Sequence, residues 1–270
     1  MSIIGGLLLV IAIVVVCVRQ FSTQKELDKM LASDREKIGE VLSVQKQVKE
    51  ELETSENSVA KQLTVMGTPS CDEPLISPLG NKPCLYYSMK VTSKRIEHYT
   101  EKDSEGRTVN KTRTIEDVLD QSTNCTRFKI DDGTGSVMVD PHDGSFEGTT
   151  TSVNKSETHS HKEGANASIS FGNFSLNLSN RNYSSSPTEP ETIKYEEEIM
   201  GFDRPLTVIG TLTDKMGDFV IEKCGKNSMI VSTKSQDDMI AERKSALKTQ
   251  LIIAAVCGGL GLIFLIIGLF

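Results

Sequence analysis

Phe128-Lys129-Ile130-Asp131-Asp132-Gly133-Thr134-Gly135-Ser136-Val137-Met138-Val139-Asp140-Pro141 is the stretch on which the fold turns. Two short β-favouring runs, Phe128–Ile130 and Val137–Val139, flank a cluster of turn residues. Gly supplies the positive φ of a tight hairpin, and Asp favours such positions by bonding to its own backbone. The D-x-D-x-D-G spacing of a calcium loop is missing, so the stretch reads as a hairpin and not as a metal site. On the N-terminal side, Leu85–Val91 and Ile115–Leu119 have the same texture. On the C-terminal side, so do Ile193–Met200, Leu206–Leu212, Phe219–Ile221 and Met229–Ser232, with Gly, Asp and Pro marking the turns between them. Six to nine strands are therefore expected over 64–235, and a small antiparallel, barrel-like body suits that count because it removes exposed edges.

Residues 143–190 break the pattern. Thr149-Thr150-Thr151, Asn177-Leu178-Ser179-Asn180 and Ser184-Ser185-Ser186 carry too little apolar surface to repay ordering, so a disordered insertion is expected there. Within it, the alternation over Ser168 to Leu178, Ile169 and Phe171 and then Phe174, Leu176 and Leu178, reads as a hairpin. His159 and His161 stand two apart with no third ligand type nearby, which favours a solvated loop over a metal site.

Helical and apolar segments flank this region. From Thr23 to Leu63, Leu31, Ile38, Leu52 and Val59 share one heptad seam, and Leu27, Val41 and Val48 share the other. Asp34, Gln45, Ser55 and Gln62 interrupt it, which leaves a solvated stalk and a self-associating coiled coil both open. Residues 236–250 predict a second, juxtamembrane helix. The apolar runs at 3–21 and 251–270 read as transmembrane helices. The expectation is thus a two-pass integral membrane protein, in contact with the lipid bilayer, with both termini on one side. Arg19, Lys25 and Lys29 after the first run, and Arg243, Lys244 and Lys248 before the second, place the large loop in the cytoplasm. Seven N-x-S/T triplets, from Asn110 to Asn182, argue for the other side only weakly, since most fall in one Asn/Ser-rich stretch.

The net charge of -7 opposes nucleic-acid binding. No G-x-S-x-G, Walker loop, G-x-G-x-x-G or H-E-x-x-H occurs, and no cofactor or metal is expected. Cys71, Cys84, Cys125 and Cys224 form no C-x-x-C pair. Cys84 precedes Leu85-Tyr86-Tyr87 in a predicted buried strand, where Cys is most often an inert small hydrophobe, so no catalytic residue is expected.

Ser77-Pro78-Leu79-Gly80-Asn81-Lys82-Pro83-Cys84-Leu85-Tyr86-Tyr87 resembles the hallmark of the GIDE domain, also called the BAM ("beside a membrane") domain, of the MULAN/MAPL-type E3 ubiquitin ligases and their chloroplast relatives. Phe128–Pro141, Glu197–Leu212 and Met229–Ser235 are similar to three further family stretches, in order. The resemblance implies structural or partner-binding roles for Ser77, Pro78, Leu79, Cys84, Tyr86, Tyr87, Asp131, Gly133, Gly135, Asp140, Pro141, Gly201 and Gly210. In the family a zinc-binding RING follows the second span, whereas here Phe270 is the last residue. The expected function is therefore a membrane-anchored protein-interaction module without catalysis of its own. The alternatives are a ubiquitin-transferase component whose RING lies on another chain, or a membrane-organising protein. Homo-oligomers would form through the stalk or the second span, where Ala254 and Gly258 are small residues four apart.

Overall fold

A computed structural model describes residues 18–52, 59–159, 168–177, 190–215 and 218–267. In chain order these form α1 (18–32), α2 (Ile38–Leu52), β1 (Ala60–Ser70), β2 (Leu75–Ile76), β3 (Pro83–Cys84), β4 (Tyr86–Lys102) and β5 (Thr108–Cys125). There follow β6 (Phe128–Asp131), β7 (Ser136–Val139), β8 (Ser145–Glu147), β9 (Thr150–His159), β10 (Ser168–Phe171) and β11 (Phe174–Asn177). The order ends with β12 (Glu191–Met200), β13 (Leu206–Lys215), β14 (Asp218–Glu222), β15 (Ile230–Ser232) and α3 (Gln236–Ile267). Two compact units result. The first draws on the residues up to Pro69, on Lys129–Glu147 and on those from Pro205 onward; the second is Ser70–Phe128 with Gly148–Arg204.

A closed five-stranded barrel organises the first unit. Its order is β1-β6-β7-β14-β13, and β13 pairs back onto β1 from Ala60↔Thr213 to Gly67↔Leu206. β7 and β14 run parallel through Met138↔Val220 and Val139↔Ile221. Numbered within the barrel alone, the order is 1-2-3-5-4-1 with third and fifth strands parallel, a Greek-key barrel of the OB kind. The opening hairpin shows why it closes: Phe128, Ile130, Val137 and Val139 are buried, while Lys129, Asp131 and Ser136 face out. β15 and β8 extend the sheet beyond β13. Gly210 marks the point where β13 changes partner from β15 to β14, and a Cβ there would meet Ile221 Cγ2 at 2.6 Å and Met229 Sδ at 2.9 Å.

The N-terminal stalk is corrected. In place of one rod over 23–63 there are two helices folded onto the barrel, because Arg35 bridges to Thr64 of β1, Glu36 N–H donates to the Thr64 carbonyl and Thr64 N–H to that of Asp34. Ser33 and Asp34, poor helix residues, lie where the seam breaks. The Gln236 amide closes the end of α1 by donating to the carbonyls of Met30 and Ser33, both at 2.9 Å. Leu27, Met30, Ile38 and Val41 are buried, whereas Leu31 and Val48 of the predicted seam are exposed. Residues 53–58 of that seam lie outside the described residues.

The membrane reading is also overturned. Among the described residues no helix is long and apolar enough to cross a membrane, against a two-pass chain with spans at 3–21 and 251–270 and a cytoplasmic loop between them. The helix that opens on the second predicted span, α3, begins as a charged segment. It carries Asp237, Asp238, Glu242, Arg243, Lys244 and Lys248, and Arg243 is paired with Glu147 of the sheet. Residues 3–17 and 268–270 of the predicted spans lie outside the described residues.

The second unit is an antiparallel sheet of order β5-β4-β12-β9, with hairpins β2–β3 and β10–β11. Leu79, Met89, Val91, Val153, Ile169, Phe174, Ile193 and Tyr195 form its core, and Phe171 stacks on Tyr195 at 4.8 Å between centroids. The insertion expected to be disordered over 143–190 therefore contributes β8, β9 and the β10–β11 hairpin. β9 is held by backbone pairing to β12 from Glu191↔His159 to Ile199↔Thr150, a force invisible to hydropathy. Residues 160–167, with His161, and 178–189 lie outside the described residues.

Candidate functional site

The hallmark stretch folds as a loop, buried at Ser77 and Leu79 and exposed at Asn81 to Pro83, that is tied to one carboxylate. Ser77 N–H donates to the Lys82 carbonyl at 2.9 Å, Asn81 N–H to the Ser77 carbonyl at 3.0 Å, and Lys82 N–H to Ser77 Oγ at 3.1 Å. These bonds turn the chain back so that β2 meets β3 through Leu75↔Cys84. Glu197, only 1% exposed, accepts from Leu79 N–H at 2.7 Å and from Gly80 N–H at 2.9 Å. A Cβ at Gly80 would meet Ser152 Oγ at 2.1 Å and Glu197 Oε1 at 2.7 Å, so a larger residue would push both side chains aside. Pro78 gives its carbonyl to Asn173 N–H at 2.9 Å, and Leu79 enters the sheet core. Two sequence motifs separated by more than a hundred residues are thus parts of one hydrogen-bonded junction.

Cys84 is fully buried beside it, and burial, with the nearby charge of Glu197, pushes its thiol up to about 11. Such a thiol stays protonated at neutral pH and is a poor nucleophile. Tyr86 and Tyr87 are half-buried in β4, opposite Cys125 and Asn124 on one side and Met200 and Ile199 on the other. Gly201 leads out of β12 into the turn at Asp203.

The remaining motif residues belong to the barrel unit and do not join that junction. Asp131 Oδ1 accepts from Gly133 N–H at 2.7 Å, and Gly133 takes a φ of 83°. Gly135 N–H donates to Asp132 Oδ1 at 3.2 Å. The other oxygen of Asp132 caps α2 by accepting from Ile38 N–H at 2.9 Å. Burial alone would raise the Asp132 carboxyl, but bonds from Thr134, Ile38 and Gly135 outweigh it and hold it below its ordinary range. Asp140 N–H pairs with the Ile221 carbonyl, and its carboxylate lies 2.5 Å from His142 Nδ1. Pro141 closes the same turn through Gly144 N–H at 3.0 Å, and Gly210 is the partner-switch residue of β13. The thirteen residues therefore divide between the two units, with Cys84, Tyr86, Tyr87, Asp131 and Gly210 inside strands and the others in the loops and turns between them.

The exposed feature of the second unit is one that sequence reasoning missed. β12 pairs with β4 only from Met200↔Tyr86 to Thr192↔Lys94, yet β4 and β5 stay paired to Lys102↔Thr108. Beyond Lys94 the hairpin continues as a two-stranded arm, about 25 Å long at roughly 3.3 Å per residue. Its tip is closed by Asp103, which accepts from Glu105 N–H and Arg107 N–H at 2.9 Å, with Gly106 at a φ of 77°. One face is internally neutralised. Glu97 pairs with Arg113 and Glu101 with Lys111 at 2.5 Å, and Arg113 lies 5.5 Å over the Tyr99 ring. The other face carries Ile96, His98 and Thr100 opposite Thr114, Thr112 and Asn110. Ile96 is 48% exposed, and β5 is the terminal strand of its sheet, with Val118 55% exposed. The period-two signal was present, but its apolar half was too thin to read.

Residues 96–267, well over half of the chain, match the model of the GIDE family, described as E3 ubiquitin ligase. The chain belongs to the GIDE family. The match takes in the arm, the hairpin at Phe128–Pro141 and the Glu197–Leu212 segment, while the loop at Ser77–Tyr87 precedes it. No curated protein and no solved structure matches the GIDE chain. Its described residues contain no group of three or more His, Cys, Asp or Glu that could hold a metal ion, and Cys71, Cys84 and Cys224 are free thiols.

Proposed function

We propose that this GIDE chain is a protein-binding module of ubiquitin ligation, which holds a target or partner protein and contributes no reacting side chain of its own. The observation that carries the reading is the β4–β5 arm. It is a long ribbon with exposed Ile96, Tyr99, Val109 and Val118, and β5 is an edge strand open to a further strand. The buried thiol of Cys84, held near 11, supports the non-catalytic part, since a ubiquitin acceptor must ionise and be reached.

The test replaces Arg95–Ile115 by an Asn-Gly turn and compares both proteins by site-specific photocrosslinking from Val118, followed by ubiquitination assay of whatever crosslinks. The shortened protein should keep its melting temperature within a few degrees and lose both the crosslink and the ubiquitination of the captured protein. Capture and modification that survive removal of the arm would overturn the proposal, as would a full-length chain that captures nothing.

A further inference from the structure

A cleft of about 470 Å3 opens in the barrel unit among α1, the β7–β8 turn, the β14–β15 connection and α3, with Met229 and Ile230 in its wall. Five cations line it: Lys25 and Lys29 from α1, Lys223 and Lys226 from the connection, and Arg243 from α3. Three carboxylates oppose them, and two are already committed. Arg243 pairs with Glu147, and its Nε lies 3.3 Å from Glu26.

Two of the lysines are held by neutral acceptors, which orient an ammonium without cancelling its charge. Lys29 donates to the Lys226 carbonyl and lies 3.3 Å from Ser228 Oγ; Lys223 donates to the Asp143 carbonyl at 3.0 Å. Arg243 offsets only one of its two carboxylates, so five cations face three carboxylates, an excess of two, and the third carboxylate belongs to Asp143. Asp143 takes a φ of 59°, one of two described non-glycine residues with positive φ, so backbone strain is concentrated here too. Gly225 opposite has a φ of 56° and no atom within 4 Å of where a Cβ would stand, which leaves room for a ligand. A concave site with this excess, on a chain of net charge -7, focuses positive potential where the rest of the molecule repels anions.

We infer that this cleft binds a compact polyanion, a phosphate ester carrying two or more phosphate groups, through Lys25, Lys29, Lys223 and Lys226. Convergent ammonium groups act as point charges suited to phosphate, and the volume fits one small molecule or headgroup.

Calorimetric titration of the full chain with inositol hexakisphosphate, and flotation with vesicles carrying phosphatidylinositol bisphosphate, distinguish a soluble ester from a lipid headgroup. Binding in either arm is expected to weaken with added salt. It should fall about tenfold or more in Lys25→Gln/Lys226→Gln, which removes two of the cations lining the cleft. Lys46→Gln, on the exposed side of α2, should bind as the parent does and serves as the control. Absence of binding in both arms, or equal loss in the Lys46 variant, would overturn the assignment.

Discussion

At the scale of single residues, Glu197 and Asp214 carry disproportionate weight because each is buried and accepts backbone N–H bonds from distant parts of the chain. Removing the Glu197 carboxylate strands the Leu79 and Gly80 N–H groups, and each buried donor left without an acceptor costs about 1–3 kcal/mol. Glu197→Ala should therefore lower the unfolding free energy by about 3 kcal/mol, read by calorimetry. Glu198→Ala, one residue on and exposed, should stay within about 0.5 kcal/mol. Equal effects would show that the junction does not depend on that carboxylate. Asp214, 0% exposed, accepts from Val59 N–H at 2.9 Å and lies 3.1 Å from Lys49 Nζ. Burial pushes its carboxyl up, but the Val59 bond and Lys49 outweigh that and bring it below its ordinary value of 3.8. The folded state then prefers the ionised form. Its stabilisation is complete above 3.8 and is lost as pH falls through the lower folded value. Asp214→Asn should cost about 2 kcal/mol at neutral pH, and the gap to the parent should close in denaturant titrations below that range.

At the scale of elements, α1 and α2 are shaped by the barrel more than by their own sequence. Their buried residues Leu27, Met30, Ile38 and Val41 have nothing to pack against in isolation, and helices of about fifteen residues are marginal in water. A peptide of residues 18–52 should show weak circular dichroism at 222 nm and sediment as a monomer; a strongly helical oligomer would restore the coiled-coil reading. The same cause decides what the sequence made legible. Phe128, Ile130, Val137 and Val139 alternate because one face of each strand is buried, so that hairpin could be read directly. β9 could not, since Thr150–His159 buries only Val153 and is ordered by pairing with a strand some forty residues later. The far half of the arm has water on both faces and leaves little hydropathy pattern. The helix break at Ser33–Lys37 depends on Thr64, a long-range partner that heptad counting does not see. The family resemblance was legible in the sequence, but the bonds that Glu197 accepts from the Leu79 and Gly80 N–H groups emerge only in three dimensions.

At the scale of the whole molecule, the polypeptide passes between its two units four times, at Pro69/Ser70, Phe128/Lys129, Glu147/Gly148 and Arg204/Pro205. The barrel strands come from either side of these passages: β1 before the first, β6 and β7 between the second and third, β13 and β14 after the fourth. Nested construction of this kind has a practical outcome for anyone mapping activity by deletion. A cut that excises Ser70–Arg204 as one block also takes away β6 and β7, and a protein truncated before Asp218 lacks β14. During synthesis the ribosome must release most of the chain before the first barrel strand meets its last neighbour, so early fragments wait with open seams that invite chaperones.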